Sequence, residues 1–96
     1  MATFITLVNF TDQGIKNIKE SPARLDAFRT MATKMGLTVK SAYWTLGSHD
    51  MVLTVEGHED AATAALLKVA SLGNVRSQTL RALSADEMGG ILAKMP

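Results

Sequence analysis

Histidine, tryptophan and tyrosine are scarce in this 96-residue sequence, which holds two, one and one of them. Three of these four side chains fall in one octapeptide, YWTLGSHD, residues 43–50. Histidine titrates near neutral pH, so His49 is the one candidate catalytic residue, as a general base. Asp50 follows it directly, and a carboxylate can orient an imidazole. Yet adjacent residues on a strand point apart, so adjacency alone makes no His49–Asp50 dyad. The plainer reading is a turn histidine beside an aspartate that bonds the turn backbone. The candidate ligand-binding set is Gly47, His49 and Asp50 at the turn, with Trp44 or Tyr43 as a wall. Tyr43 and Trp44 face opposite sides of their strand, so at most one lines a given cavity. For either, the ordinary role is packing with its polar atom satisfied.

Other chemistries find little support. His49 and His58 lie at opposite ends of one expected strand, roughly 25 Å apart at about 3.3 Å per residue. One subunit cannot bring both to a metal, and no H-x-x-x-H pattern exists, so no metal site is expected. The absence of cysteine removes disulfides, thiolate metal sites and cysteine nucleophiles. TDQGIKNI carries a single glycine, short of any phosphate-cradling loop, and no serine has a nucleophile-elbow context. No cofactor is expected. Lys40, on the same strand face as Trp44, and Arg76 would suit a carboxylate ligand, or would simply snorkel. Lys16, Lys19 and Arg24, with Glu20 between them, read as a solvated basic cluster.

Ten basic and nine acidic side chains give a net charge of +1, which offers no long-range pull toward nucleic acid. No apolar run approaches the roughly 18 residues that span a bilayer, so no membrane partner is expected. The N-terminus MATFITLVNF lacks a basic start, and with no cysteines the expected location is cytoplasmic. Length and composition (47% hydrophobic) suit one domain, residues 1–96, with a thin core.

The chemistry-bearing turn must be held by the elements around it. TFITLVNF (3–10) is β-branched and aromatic and reads as a strand. Residues 11–22 read as a connection with a short helical turn around Ile15 and Ile18. Ser21 is expected to cap a helix with Pro22 first, bearing Leu25, Phe28, Ala32 and Met35 on one face, and Gly36 to stop it. LTVKSAYWTL (37–46) and MVLTVEG (51–57) form a hairpin around the tight turn GSHD. HEDAATAALLKVASLG (58–73) is a second crossing helix, with Ala62, Leu66, Val69 and Gly73 on one side and Leu67 and Ala70 beside them. VRSQTLRAL (75–83) is a fourth strand. Ser84 and Glu87 match a capping box, opening a last helix expected to turn Met88, Ile91, Leu92 and Met95 inward.

The order βαββαβ plus a C-terminal helix is the ferredoxin-like α+β pattern with a four-stranded antiparallel sheet. Two crossing helices cover one sheet face and leave the other to water or a partner. Short hydroxyls (Thr6, Ser41, Thr45, Thr54, Ser77, Thr79) mixed with Phe4, Val8 and Phe10 on the parity of Thr6 suggest a mixed face. Such a face suits pairing of two copies around a small polar cavity.

The blocks LVNFTDQGIKNIKESPAR, VKSAYWTLGSHDMVLTVEG and LGNVRSQTLRALSADEM together resemble the GYD-domain family. The family's Gly-Tyr-Asp signature falls on Gly47–Asp50 in G-x-Y-D form, with His49 where the pattern has tyrosine. The resemblance implies the dimeric α/β-barrel superfamily, hence back-to-back sheets in a homo-oligomer. The hairpin also looks like that of the effector-binding domains in Lrp/AsnC-type regulators, where related hairpins help build small-molecule sites between subunits.

Three functional readings follow. The first is a homo-oligomeric protein binding a small molecule near Gly47–Asp50 at a subunit interface, without covalent catalysis. The second is a dimeric-barrel enzyme, cofactor-free or haem-handling, with His49 as base or axial ligand. The third is a structural or interaction module with no small ligand.

Overall fold

The computed structural model describes residues 1–96. β1 (Ala2–Phe10), β2 (Thr38–Trp44), β3 (Met51–Gly57) and β4 (Val75–Ala82) form one antiparallel sheet in the order β2-β3-β1-β4. Between them run α1 (Asp12–Lys16), a 3-10 turn (Ile18–Glu20), α2 (Ser21–Lys34) and α3 (Glu59–Ser71), and α4 (Ala85–Leu92) ends the chain. This is the ferredoxin-like α+β architecture.

Period-two alternation decides which face of each strand is buried. Phe4, Thr6 and Val8 of β1 lie opposite Val55, Leu53 and Met51 of β3, and all six are buried. Phe28 and Ala32 of α2 and Ala62 and Ala65 of α3 complete the core above them. Burying one large apolar side chain such as Phe4 or Phe28 contributes roughly 1.5–3 kcal/mol, so a core this small leaves little reserve. Thr6, only 1% exposed, is satisfied by the Thr79 hydroxyl at 3.2 Å.

This placement corrects the expected mixed face. The Thr6 parity, with Phe4, Val8 and Phe10, lies under the helices, where the Thr6–Thr79 pair removes the cost of a buried hydroxyl. The uncovered face carries Thr3, Ile5, Leu7 and Asn9 of β1. Beside them in register stand Val52 and Thr54 of β3, Tyr43 and Ser41 of β2, and Arg76, Gln78 and Leu80 of β4. Its centre is more apolar than expected. A register shift between Val39 and Ser41, at Lys40, lets Val39, Ala42 and Trp44 all share the helix side.

Three further expectations are corrected. Ser21 is the first residue of α2 rather than its cap; Glu20 holds the cap position without a side-chain bond. The Ser21 hydroxyl instead accepts the indole N–H of Trp44 at 3.0 Å. Leu67 faces solvent, because Ala62 and Ala65 take the inward side of α3. Met88, Ile91, Leu92 and Met95 are exposed, since α4 buries none of its residues. The capping box of α4 does form, Glu87 N–H to Ser84 Oγ at 3.1 Å and Ser84 N–H to Glu87 Oε1 at 3.0 Å. The projecting end shows in the dimensions, 52 × 31 × 19 Å with a radius of gyration of 14.7 Å. A compact chain of this length would have about 12–13 Å.

Candidate functional site

The β2–β3 connection is wider than the expected four-residue turn. It is closed by Thr45 N–H to the Asp50 carbonyl at 2.8 Å and by Thr45 Oγ1 to the His49 carbonyl at 2.7 Å. Gly47 at its tip has φ +136°, a conformation that glycine adopts without steric cost. The loop is then sewn to the end of β1. Asp50 N–H donates to the Val8 carbonyl at 2.8 Å, and the Asp50 carboxylate accepts from Phe10 N–H at 2.8 Å. Asp50 is therefore committed to backbone.

His49 is fixed from the other side. Its Nδ1 lies 2.9 Å from Asn9 Oδ1, while Asn9 Nδ2 donates to the Ser48 carbonyl at 2.8 Å. The second bond sets which way the amide points, so the oxygen faces the ring. A neutral His49 then carries its proton on Nδ1, leaving Nε2 as a free acceptor. Arg76 stands opposite Asn9 on β4, so Arg76, Asn9 and His49 form a polar strip at one end of the uncovered sheet face. Tyr43, 66% exposed, stands one row inward, beside Val52 and Leu7.

The structure brings Gly47, His49 and Asp50 together with Asn9 and puts Tyr43 on their side of the sheet. It sets Trp44 apart, on the helix side against Ser21. Asp50 does not bond the His49 ring, whose partner is Asn9, some forty residues away in sequence. His58 precedes α3 at the far end of β3, and no three His, Cys, Asp or Glu side chains cluster as a metal site.

Two residues of these sites carry little signal in the sequence. Asn9 gave no signal beyond being a polar residue near the end of an apolar strand. Arg24 reads from its neighbours as part of a solvated basic cluster with Lys16 and Lys19, but its Nη1 atom is buried. The available hint was helical spacing: Arg24 lies four residues before Phe28, on the core-facing side of α2. No helix is long and apolar enough to cross a membrane.

The family model described as GYD domain matches residues 4–92. The glutamine synthetase and cystathionine beta-lyase binding protein of Thermus thermophilus is 36% identical over 91 residues, covering 92% of this chain and 95% of that protein. The crystal structure of FFRP-DM1 superposes with a TM-score of 0.62 at 17% identity, over 86% of this chain and all (100%) of that one. That of TTHA0845 from Thermus thermophilus does so with a TM-score of 0.55 at 22% identity, over 88% and 96%. The two solved structures share the fold.

Proposed function

The chain belongs to the GYD-domain family, and from that premise we propose that it is a homo-oligomeric binding protein without covalent catalysis. Its partners are a second copy of itself and enzyme subunits of the kind for which the Thermus relative is named, a glutamine synthetase and a cystathionine beta-lyase.

The observation that carries this reading is the uncovered sheet face. Ile5, Leu7 and Val52 are half-buried only by their neighbours, and Leu80 and Tyr43 are exposed. An apolar centre ringed by Arg76, Asn9 and His49 at one end and Thr3, Thr38 and Glu56 at the other has the anatomy of an interface. Four strands of this length cover on the order of 500 Å². A stable interface takes about 800 Å² from each partner. The exposed apolar stripe of α4 supplies the remainder if it reaches across to the second copy.

A second reading rests on a different observation, the free Nε2 of His49. At the rim of a paired sheet, Nε2 would accept one hydrogen bond from a small ligand, with Gly47 and Asp50 shaping the loop and Tyr43 as a wall. Trp44 has no part in it. The same Nε2 is what a base-catalysed reaction would need, but no second catalytic group stands beside it.

The direct test is co-elution of the purified chain with purified glutamine synthetase and cystathionine beta-lyase on a sizing column. Binding of either enzyme by the wild type supports the proposal. Separate elution from both, at concentrations well above micromolar, overturns the enzyme-binding part.

A further inference from the structure

We propose that the space between α2, α3 and the sheet is a binding site for a carboxylic acid with a compact apolar tail. It lies on the opposite side of the sheet from His49 and is independent of the readings above. The helices do not close over the strands, and a cavity of about 230 Å³ remains between them. Leu25, Phe28 and Met31 of α2 form one wall, Leu66 and Val69 of α3 the other, and Val8 part of the floor.

Arg24 lines the same cavity, and its guanidinium is divided between two environments. Nη2 donates to the Asn17 carbonyl and sits 3.8 Å from Glu20 Oε2, a carboxylate largely in solvent. Nη1 is buried and is the one buried side-chain nitrogen or oxygen without a hydrogen-bond partner. A buried donor left unpaired is costly and calls for an acceptor. A guanidinium edge suits a carboxylate. The walls set the rest of the ligand: 13 of the 19 lining residues are hydrophobic, so only the head is polar. A space this small takes a medium-chain or aryl acid and excludes a two-chain lipid. Lys68 also lines the cavity and adds a second positive charge.

The test titrates octanoate into the full chain by calorimetry, with octanol as the uncharged comparison. Octanoate is expected to bind at least tenfold more tightly than octanol. Arg24→Met keeps the apolar stem, and should lower octanoate affinity tenfold or more while changing octanol affinity less than twofold. Ser77→Phe places a ring in the cavity from the exposed edge strand and should abolish binding of both, with its circular dichroism unchanged. Equal binding of octanoate and octanol, or no octanoate binding, overturns the proposal. So does octanoate binding that survives Ser77→Phe. Nuclear magnetic resonance shifts confined to the cavity lining and α4 on dilution would also overturn it, by assigning the space to α4 of a second copy.

Discussion

The amide of Asn9 holds His49 in one tautomer: Nδ2 donates to the Ser48 carbonyl at 2.8 Å, leaving Oδ1 2.9 Å from His49 Nδ1. Nitrogen-15 spectra of the neutral imidazole should therefore show a protonated Nδ1 and a bare Nε2. In Asn9→Ala the ring should revert toward the Nε2–H form, and the loop should lose about 1 kcal/mol for each hydrogen bond removed. An Nε2–H ring in the wild type would show that the amide is not in control.

Asp50 acts on β1 rather than on His49. Its carboxylate accepts the Phe10 N–H at 2.8 Å, at the edge of the core. Asp50→Ala should cost about 2 kcal/mol by urea unfolding, the range of a hydrogen bond to a charged group. Asp50→Asn, which keeps an acceptor, should recover about half of it.

Gly14 is required by a close approach. A Cβ added there would lie 1.9 Å from the Asn74 carbonyl oxygen. That carbonyl is pinned by Thr11 N–H at 3.1 Å, while Thr11 Oγ1 donates to the Gly73 carbonyl. Gly14→Ala must push the α3–β4 connection and α1 apart. The expected cost is about 2–3 kcal/mol in thermal or urea unfolding, the upper range for overpacking.

The fold was legible because its signals are local and periodic. Gly36, the capping box at Ser84 and Glu87, and the alternation in β3 each dictate their own stretch. What stayed hidden depends on distant partners. Which parity of β1 faces the helices cannot be read from Thr3–Phe10 alone, since both sets are largely apolar, and the Thr6 hydroxyl can be buried without cost only once β4 brings Thr79 beside it. Ser21 looks like a cap until Trp44 arrives from β2 to claim its hydroxyl. His49 and Asp50 are recognisable as a polar turn, but their partners Asn9 and Phe10 come from the C-terminal end of β1, forty residues earlier in the chain. The apolar periodicity of α4 is present in the sequence, yet periodicity says a face exists, not that its own chain covers it.

Glu87 gives α4 a pH dependence. The Ser84 backbone N–H, with help from the Ser84 hydroxyl and Arg81, holds its carboxyl below the ordinary glutamate value. A group whose value falls on folding contributes stability above its unfolded value and loses it as pH drops through the lowered one. Protection of the α4 amides, their exchange rate relative to that of an unstructured chain at the same pH, should fall as the solution is acidified through that window. Glu87→Gln keeps the acceptor for Ser84 and should remove most of the pH dependence.

The central claim is that a second copy covers the sheet face bearing Ile5, Leu7, Val52, Tyr43 and Leu80. Sedimentation equilibrium of the wild type and of Leu7→Lys at micromolar concentration tests it most directly. The account predicts twice the chain mass or more for the wild type, and a folded single-chain mass for Leu7→Lys, which sets a charge in the middle of that face. A wild-type chain that sediments as a folded monomer would contradict it.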